Sequence, residues 1–355
     1  MEKGSEQKKN RLQLAMRELL YQMNPFATTR RGENDSQEKK YQLSRRDFLK
    51  VVGAGVITHA LPEHSKIPDS FSTVEENIDA LLQNKDMALE LKRFDSEGKV
   101  LYEYSRKSDE LFPVASTFKL FVALYYFINT PQSEWKQEEG SDMHSMIVFS
   151  NNGKTGDVLA EVSSRVPGDG NALEKFNDFL HEKVGMQKEN GIARWDAGAL
   201  RAKKNTDEKV TKDPNSKAVN FLTTEDIIKG LSFLATAESK DDWEKDEQFQ
   251  AAIKATRALA SLPSPEYQSV LDRVAPFSNG YGKDGILRPS DIGISVFTEG
   301  FVYPQSDGGS LVIAYMAKRQ TEPTLRLVLK QILDDISRFE TRRNLRARSD
   351  SQSQI

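Results

Sequence analysis

Thirteen consecutive residues, Ser116–Ile128, read STFKLFVALYYFI. Beyond its first turn a helix of this composition is apolar on every side, so other elements must enclose it. A chain of 355 residues, 37% of them apolar, has the material to build such an enclosure. The run contains one charged residue, Lys119. A buried ammonium is strongly unfavourable unless something pairs with it. Residues three apart share a helix face, which sets Lys119 beside Ser116. Ser116 opens the helix, where unbonded N–H groups and the positive dipole end favour developing negative charge. Desolvation makes a lysine a better proton acceptor, and such a lysine can activate a serine hydroxyl. Two readings fit these four residues: a nucleophile with its base, or an N-cap serine followed by a lysine that reaches out to water. The S-x-x-K spacing alone does not choose, since Ser5/Lys8, Ser36/Lys39 and Ser133/Lys136 share it.

Composition removes several chemistries. The chain has no cysteine, which excludes a disulfide framework, cysteine-ligated zinc and a cysteine nucleophile. Its formal charge is −3, and residues 1–50 hold 12 Lys and Arg against 7 Asp and Glu, so the acidic excess belongs to the remainder. A nucleic-acid-binding domain would be basic, and no nucleic-acid partner is expected. The histidines are His59, His64, His144 and His181; His181-Glu182 begins a zincin-like string, but Gly185 stands at its second histidine position. No metal site is expected. Gly280-Tyr281-Gly282-Lys283-Asp284-Gly285 matches G-x-G-x-x-G, yet Ile286-Leu287-Arg288-Pro289 follows where the dinucleotide fingerprint needs a helix. No organic cofactor is expected either.

The chain divides by pattern into a leader, a globular body and a tail. Residues 1–61 form a polar leader that ends in Ser44-Arg45-Arg46-Asp47-Phe48-Leu49-Lys50 and an apolar run from Val51 to Leu61. That run is too short to span a bilayer, which takes about 20 residues. A basic stretch before a short apolar one reads as an export signal, the alternative being an amphipathic N-terminal helix. The string resembles the twin-arginine signal, with Arg45 and Arg46 as the pair. The resemblance implies a partner in the twin-arginine export machinery and a periplasmic or extracytoplasmic address. No Ala-x-Ala cleavage site follows, so a tether through an uncleaved signal is a further expectation.

From Thr73 to about residue 340 the pattern is globular. Helical spacing marks Val74–Leu82, Ser116–Ile128, Met143–Phe149, Lys154–Ser163, Leu173–Val184, Thr224–Ala235, Phe249–Leu262 and Thr324–Phe339. Strands are predicted at Met87–Phe94, Lys99–Tyr104, Ile292–Val302 and Ser310–Ala317. Strands at both ends of a helical middle predict an α/β protein of the α+β kind. Its antiparallel sheet is flanked by N- and C-terminal helices, with a helical subdomain at roughly 116–275. Residues 186–220 lack apolar periodicity and are expected to form a long functional loop. Residues 341–355 are polar and basic, and a disordered tail is expected there.

Over roughly 73–340 the sequence resembles the penicillin-recognising serine enzymes, the class A β-lactamases in particular. The segment Leu111-Phe112-Pro113-Val114-Ala115-Ser116-Thr117-Phe118-Lys119-Leu120 is similar to that around the family's nucleophile, and Ser150-Asn151-Asn152 to its S-D-N element. Arg194-Trp195-Asp196 is similar to the Arg-Trp-Glu of the omega loop, and Leu222-Thr223-Thr224-Glu225-Asp226 to the exit from that loop. Lys283-Asp284-Gly285 occupies the K-T-G place, and all these elements come in the family's order.

The resemblance implies an acyl-enzyme mechanism on a β-lactam or a cell-wall peptide, by a protein expected to act as a monomer. Ser116 would attack the carbonyl, Lys119 would take its proton and Ser150 would pass a proton to the leaving nitrogen. Asn152 would hold Lys119 and the acyl side chain, and Asp196 would activate the deacylating water. Lys283 would supply positive potential, and the N–H groups of Ser116 and Ile286 would form the oxyanion hole. Read by themselves, Ser150-Asn151-Asn152 could equally be a helix-ending turn, Asp196 a surface charge and Lys283 a hairpin residue. The sequence departs from the family at Asp284, a carboxylate in place of a hydroxyl that helps bind the substrate carboxylate. It departs again at Asp196, one methylene shorter than glutamate, and in the short stretch between Ser116 and Ser150. Three functions follow: β-lactam hydrolysis with a role in antibiotic resistance, hydrolysis of another amide or ester on the same fold, and a non-catalytic binding module.

Overall fold

A computed structural model describes residues 70–192, 220–239, 246–264, 269–289 and 293–352. The chain divides into two compact units, Met1–Glu63 and His64–Ile355, and every described residue belongs to the second. The leader with Arg45 and Arg46, and Asp196 with most of the 186–220 segment, lie outside the described residues.

Helix α1 (Phe71–Leu82) leads into the hairpin β1 (Met87–Phe94) and β2 (Val100–Arg106), followed by the short strand β3 (Phe112–Pro113). A 3₁₀ turn at Ser116–Phe118 opens α2 (Lys119–Asn129). The helical part continues with α3 (Asp142–Val148), α4 (Asn152–Ser163) and α5 (Ala172–Phe179), which ends in a π turn over Leu180–Val184. After β4 (Phe221–Leu222) come α6 (Thr224–Ala235), α7 (Glu247–Ala260) and α8 (Val270–Val274). The chain then returns to the sheet through β5 (Tyr281–Leu287), β6 (Val296–Pro304) and β7 (Ser310–Lys318), and closes with α9 (Glu322–Gln352).

The large sheet is antiparallel with strand order β2-β1-β7-β6-β5. Both faces of its centre are covered, so β7 is buried continuously from Leu311 to Ala317 rather than at alternate residues. On one face α1 and α9 supply Val74, Ile78, Leu329, Ile332 and Leu333 against Leu89, Leu91, Ile313 and Tyr315. On the other face the helical part packs Phe121, Leu124, Ile227 and Leu231 near Val302, Val312 and Ala314. Helix α2 is enclosed as its composition requires, with no residue from Lys119 to Phe127 more than 2% exposed. Full burial of each large apolar side chain contributes roughly 1.5–3 kcal/mol.

Two expectations are corrected. Lys283, Asp284, Gly285 and Ile286 lie within strand β5, at the edge of the sheet, and not ahead of the strands. Two glycines and two charges hide this strand from any propensity argument. The glycines are there because neighbours come close: a Cβ on Gly282 would sit 2.2 Å from the Gly300 carbonyl oxygen. Residues 341–352 are helical rather than disordered, since α9 runs on to Gln352. The stretch holds no Gly or Pro, and Arg343 pairs with Glu340 at 3.1 Å, anchoring the extension.

Candidate active site

The site is built where the first turn of α2, the α3–α4 junction and strand β5 meet. Ser116 is the first residue of the 3₁₀ turn and is half-buried. Thr117 locks that turn to the sheet: its Oγ1 donates to the Thr298 carbonyl at 2.8 Å and lies 2.7 Å from Thr298 Oγ1. Strand β5 comes against the backbone of Ser116, because a Cβ on Gly285 would stand 2.3 Å from the Ser116 nitrogen and 2.7 Å from the Ala115 side chain. Any side chain there would push the edge strand away from the serine.

Lys119 excludes one of the two readings of its helix. Its residue is fully buried, so it does not reach out to water. Its Nζ donates to the Ser150 carbonyl at 2.5 Å and to Asn152 Oδ1 at 2.6 Å, with Ser150 Oγ at 3.4 Å. Three residues of the sequence-derived set are thereby brought together, over separations of 31 and 33 residues. Ser150 turns the chain between α3 and α4 with φ of 54°, a left-handed conformation that costs a non-glycine residue roughly 1–2 kcal/mol. Asn151 caps α4 by accepting from the Lys154 N–H at 3.1 Å. The strained serine is what turns its carbonyl onto Lys119.

Lys283 lies two residues before Gly285 on the same face of β5, a spacing of roughly 7 Å along the strand. Its ammonium binds Asp284 Oδ1 at 2.9 Å, and both residues are largely buried, with side-chain exposures of 4% and 16%. Asp284 faces Glu299 across the β5–β6 ladder. Glu299 is itself buried, accepting from Ser269 Oγ at 2.6 Å and from the Val270 and Leu271 N–H groups at 2.9 Å. Burial, helped by the negative charge of Asp284, raises its carboxyl to about 7.

The described residues on either side of 193–219 meet close to Ser116. β3 pairs with β4, the Val114 N–H donates to the Asn220 carbonyl at 3.0 Å, and Gly191 bridges Phe221. Asp226 clamps this neck from within α6. Its Oδ1 accepts from the Gln187 N–H at 2.9 Å; its Oδ2 accepts from Asn190 Nδ2 at 2.6 Å, Thr223 Oγ1 at 2.9 Å and the Thr223 N–H at 3.1 Å. Asp196 follows Ile192 by four residues, and its own position is outside the described residues. His181 Nε2 lies 2.8 Å from the Asn190 carbonyl, a structural contact in the same neck.

The sequence analysis assigns no role to Thr298 or Glu299 and places Asp226 only in the exit from the omega loop, although two of the three carry a signal. Glu299 is a lone charge in the apolar strand VFTEGFVYP, the same anomaly that marked Lys119. Thr223 and Asp226 form a capping box ahead of an apolar run. Among the described residues no three His, Cys, Asp or Glu side chains gather as a metal site, and no helix is long and apolar enough to cross a membrane.

Comparison with solved structures assigns this geometry to a known fold. A β-lactamase from Sphaerobacter thermophilus DSM 20745 aligns over 75% of this chain and 96% of its own, with a TM-score of 0.52 and 14% identity. The TLA-3 extended-spectrum β-lactamase aligns over 77% and 99%, with a TM-score of 0.55 and 11% identity. The fold is β-lactamase-like. A class A β-lactamase from Bacteroides cellulosilyticus DSM 14838 agrees, at a TM-score of 0.51 and 13% identity over 74% and 95%. No family model matches the sequence, and no curated protein matches it significantly. At 11–14% identity these likenesses show the fold.

Proposed function

We propose that this protein is a serine hydrolase that works through an acyl-enzyme on Ser116. One observation carries the reading: a fully buried lysine, one turn along from Ser116, is tied to Ser150 and Asn152 in the interior. A neutral amine keeps two N–H donors, enough for those two short bonds, and has a lone pair for the serine proton. Ser116 Oγ attacks the substrate carbonyl as Lys119 takes its proton, directly or through a water. The N–H groups of Ser116 and Ile286 receive the oxyanion, consistent with the contact of β5 against Ser116. Ser150 passes a proton to the leaving nitrogen or oxygen, and Asp196 activates the water that cleaves the acyl-enzyme.

The β-lactamase-like fold makes β-lactams the first substrate class. A second reading, hydrolysis of another amide or ester such as a cell-wall peptide, is favoured by the Lys283–Asp284 pair, which cancels positive charge where a penicillin carboxylate would bind. Intact-mass measurements on the protein with a fluorescent penicillin and with an uncharged activated ester test both. An adduct that forms on Ser116 and is absent from Ser116→Ala is the expected result, and adduct from the penicillin selects the first reading. Absence of adduct and of turnover with either compound would overturn the enzyme assignment in favour of a binding module.

Export through the twin-arginine route is proposed from Arg45 and Arg46. Exchanging both for lysine is expected to hold the protein inside the cell in a fractionation assay; unaltered export would refute the signal.

A further inference from the structure

An open cavity of about 930 Å³ begins where Lys283 ends and is bounded by β5, the C-terminal end of α7 and α8. Ile147, three residues ahead of Ser150 on α3, lines it as well. Ser116 does not line it, because Gly285 holds the serine one pleat further along β5. On the acyl-enzyme reading Ser150 delivers a proton to the departing group, so this cavity lies on the leaving-group side of the bond that breaks. Its size is in the upper part of the range that holds drug-sized ligands, roughly 300–1,000 Å³.

Both cations that line the cavity are already matched. Lys283 is bound to Asp284 at 2.9 Å, and both line the wall. Arg257 also lines it, but its guanidinium donates to Glu238 Oε1 at 2.6 Å and to the Leu234 carbonyl, and lies 5.8 Å from the Tyr281 ring centroid. Asp272 adds a further carboxylate on the wall, and Glu299 lies buried behind Asp284. Among the described lining residues, then, both cations are already paired when an anion enters. A carboxylate drawn to Lys283 meets Asp284 at the same point, whereas an uncharged or cationic group meets no such opposition.

We propose that this cavity is a leaving-group subsite for bulky uncharged or cationic groups, and that the Lys283–Asp284 ion pair excludes carboxylate-bearing ones. The assignment rests on the acyl-enzyme reading and deepens it. Acyl transfer balances simply: the Ser116 Oγ–acyl bond forms, the ester C–O bond breaks, and the serine proton reaches the departing oxygen by way of Lys119 and Ser150.

The test uses full-length protein and three aryl esters with one acyl group, whose phenols carry a carboxylate, a carboxamide or a trimethylammonium at the same ring position. Acylation of Ser116 is followed by intact mass, each rate being normalised to that ester's spontaneous hydrolysis. The carboxamide and ammonium esters are expected to react about tenfold faster or more than the carboxylate ester, the size a single nearby charge supplies. Asp284→Asn, which keeps the shape and removes the charge, is expected to erase most of that ratio. Ala258→Trp, at an exposed position on the cavity wall, is expected to lower the reactivity of a biphenyl ester relative to the methyl ester of the same acid. A carboxylate ester that reacts as fast as the others, or a ratio that Asp284→Asn leaves in place, would overturn the exclusion. A biphenyl-to-methyl ratio unmoved by Ala258→Trp would overturn the subsite. In those cases Ser116 is still labelled and the hydrolase reading stands; no label from any ester would remove that reading and the inference together.

Discussion

Lys119→Met should slow acylation of Ser116 by about 10²–10⁴-fold, the contribution typical of a positioned general base. Methionine matches the length and apolar stem of the lysine, and α2 encloses the position completely. The substitution leaves the Ser150 carbonyl and Asn152 Oδ1 without their short bonds, at roughly 1–3 kcal/mol. Removing a buried amine offsets part of that, since its own desolvation no longer has to be overcome. A large fall in acylation with a modest shift in thermal midpoint is therefore the signature of a base. If acylation continued at the native rate, Lys119 would be only a tie between α2 and the α3–α4 junction, and the proton would have to go elsewhere.

Asp226→Ala should destabilise the protein by about 3–5 kcal/mol, since each buried donor left without its acceptor costs roughly 1–3 kcal/mol. Its carboxylate is wholly buried and accepts four hydrogen bonds, from Gln187, Asn190 and the backbone and side chain of Thr223. Alanine removes the acceptor of four donors, those of Thr223 and Asn190 buried and that of Gln187 partly so, and it also dismantles the capping box that starts α6. At roughly 2–4 °C per kcal/mol for a body of this size, the thermal midpoint falls by about 10 °C. The loss centres on the neck that joins residues 186–192 to 220–223, and that neck abuts Val114, two residues from Ser116. Acyl-enzyme lifetime, followed in the same samples at a temperature where the variant is folded, is expected to lengthen as the neck loosens. A midpoint within about 3 °C of the native value would mean that water replaces the carboxylate and that the clamp is unimportant.

Both effects were legible in the sequence to different degrees. Lys119 announced itself, because a charge in an otherwise apolar helix is a local contradiction that some partner must resolve. The helix boundaries were equally local: Thr224–Ala235 and the strand Met87–Phe94 are where periodicity places them. Asp226 was visible only as a neighbour of threonines, since the donors from Gln187 and Asn190 lie 39 and 36 residues away.

Sequence alone determined that α2 is a buried central helix, that its lysine needs a partner, and that strands at both ends flank a helical middle. These follow from hydrophobic period and charge placement, properties of neighbouring residues. Tertiary structure decided what the lysine pairs with, that Gly285 lies against the serine's nitrogen, and that Asp284 neutralises Lys283 beside a large cavity. It also made an edge strand of the glycine-rich segment and a helix of the basic tail. The physical reason is range. The turn that carries Ser116 is held by the bond from Thr117 to Thr298, 181 residues apart, and contacts over such separations leave no periodic trace in the chain.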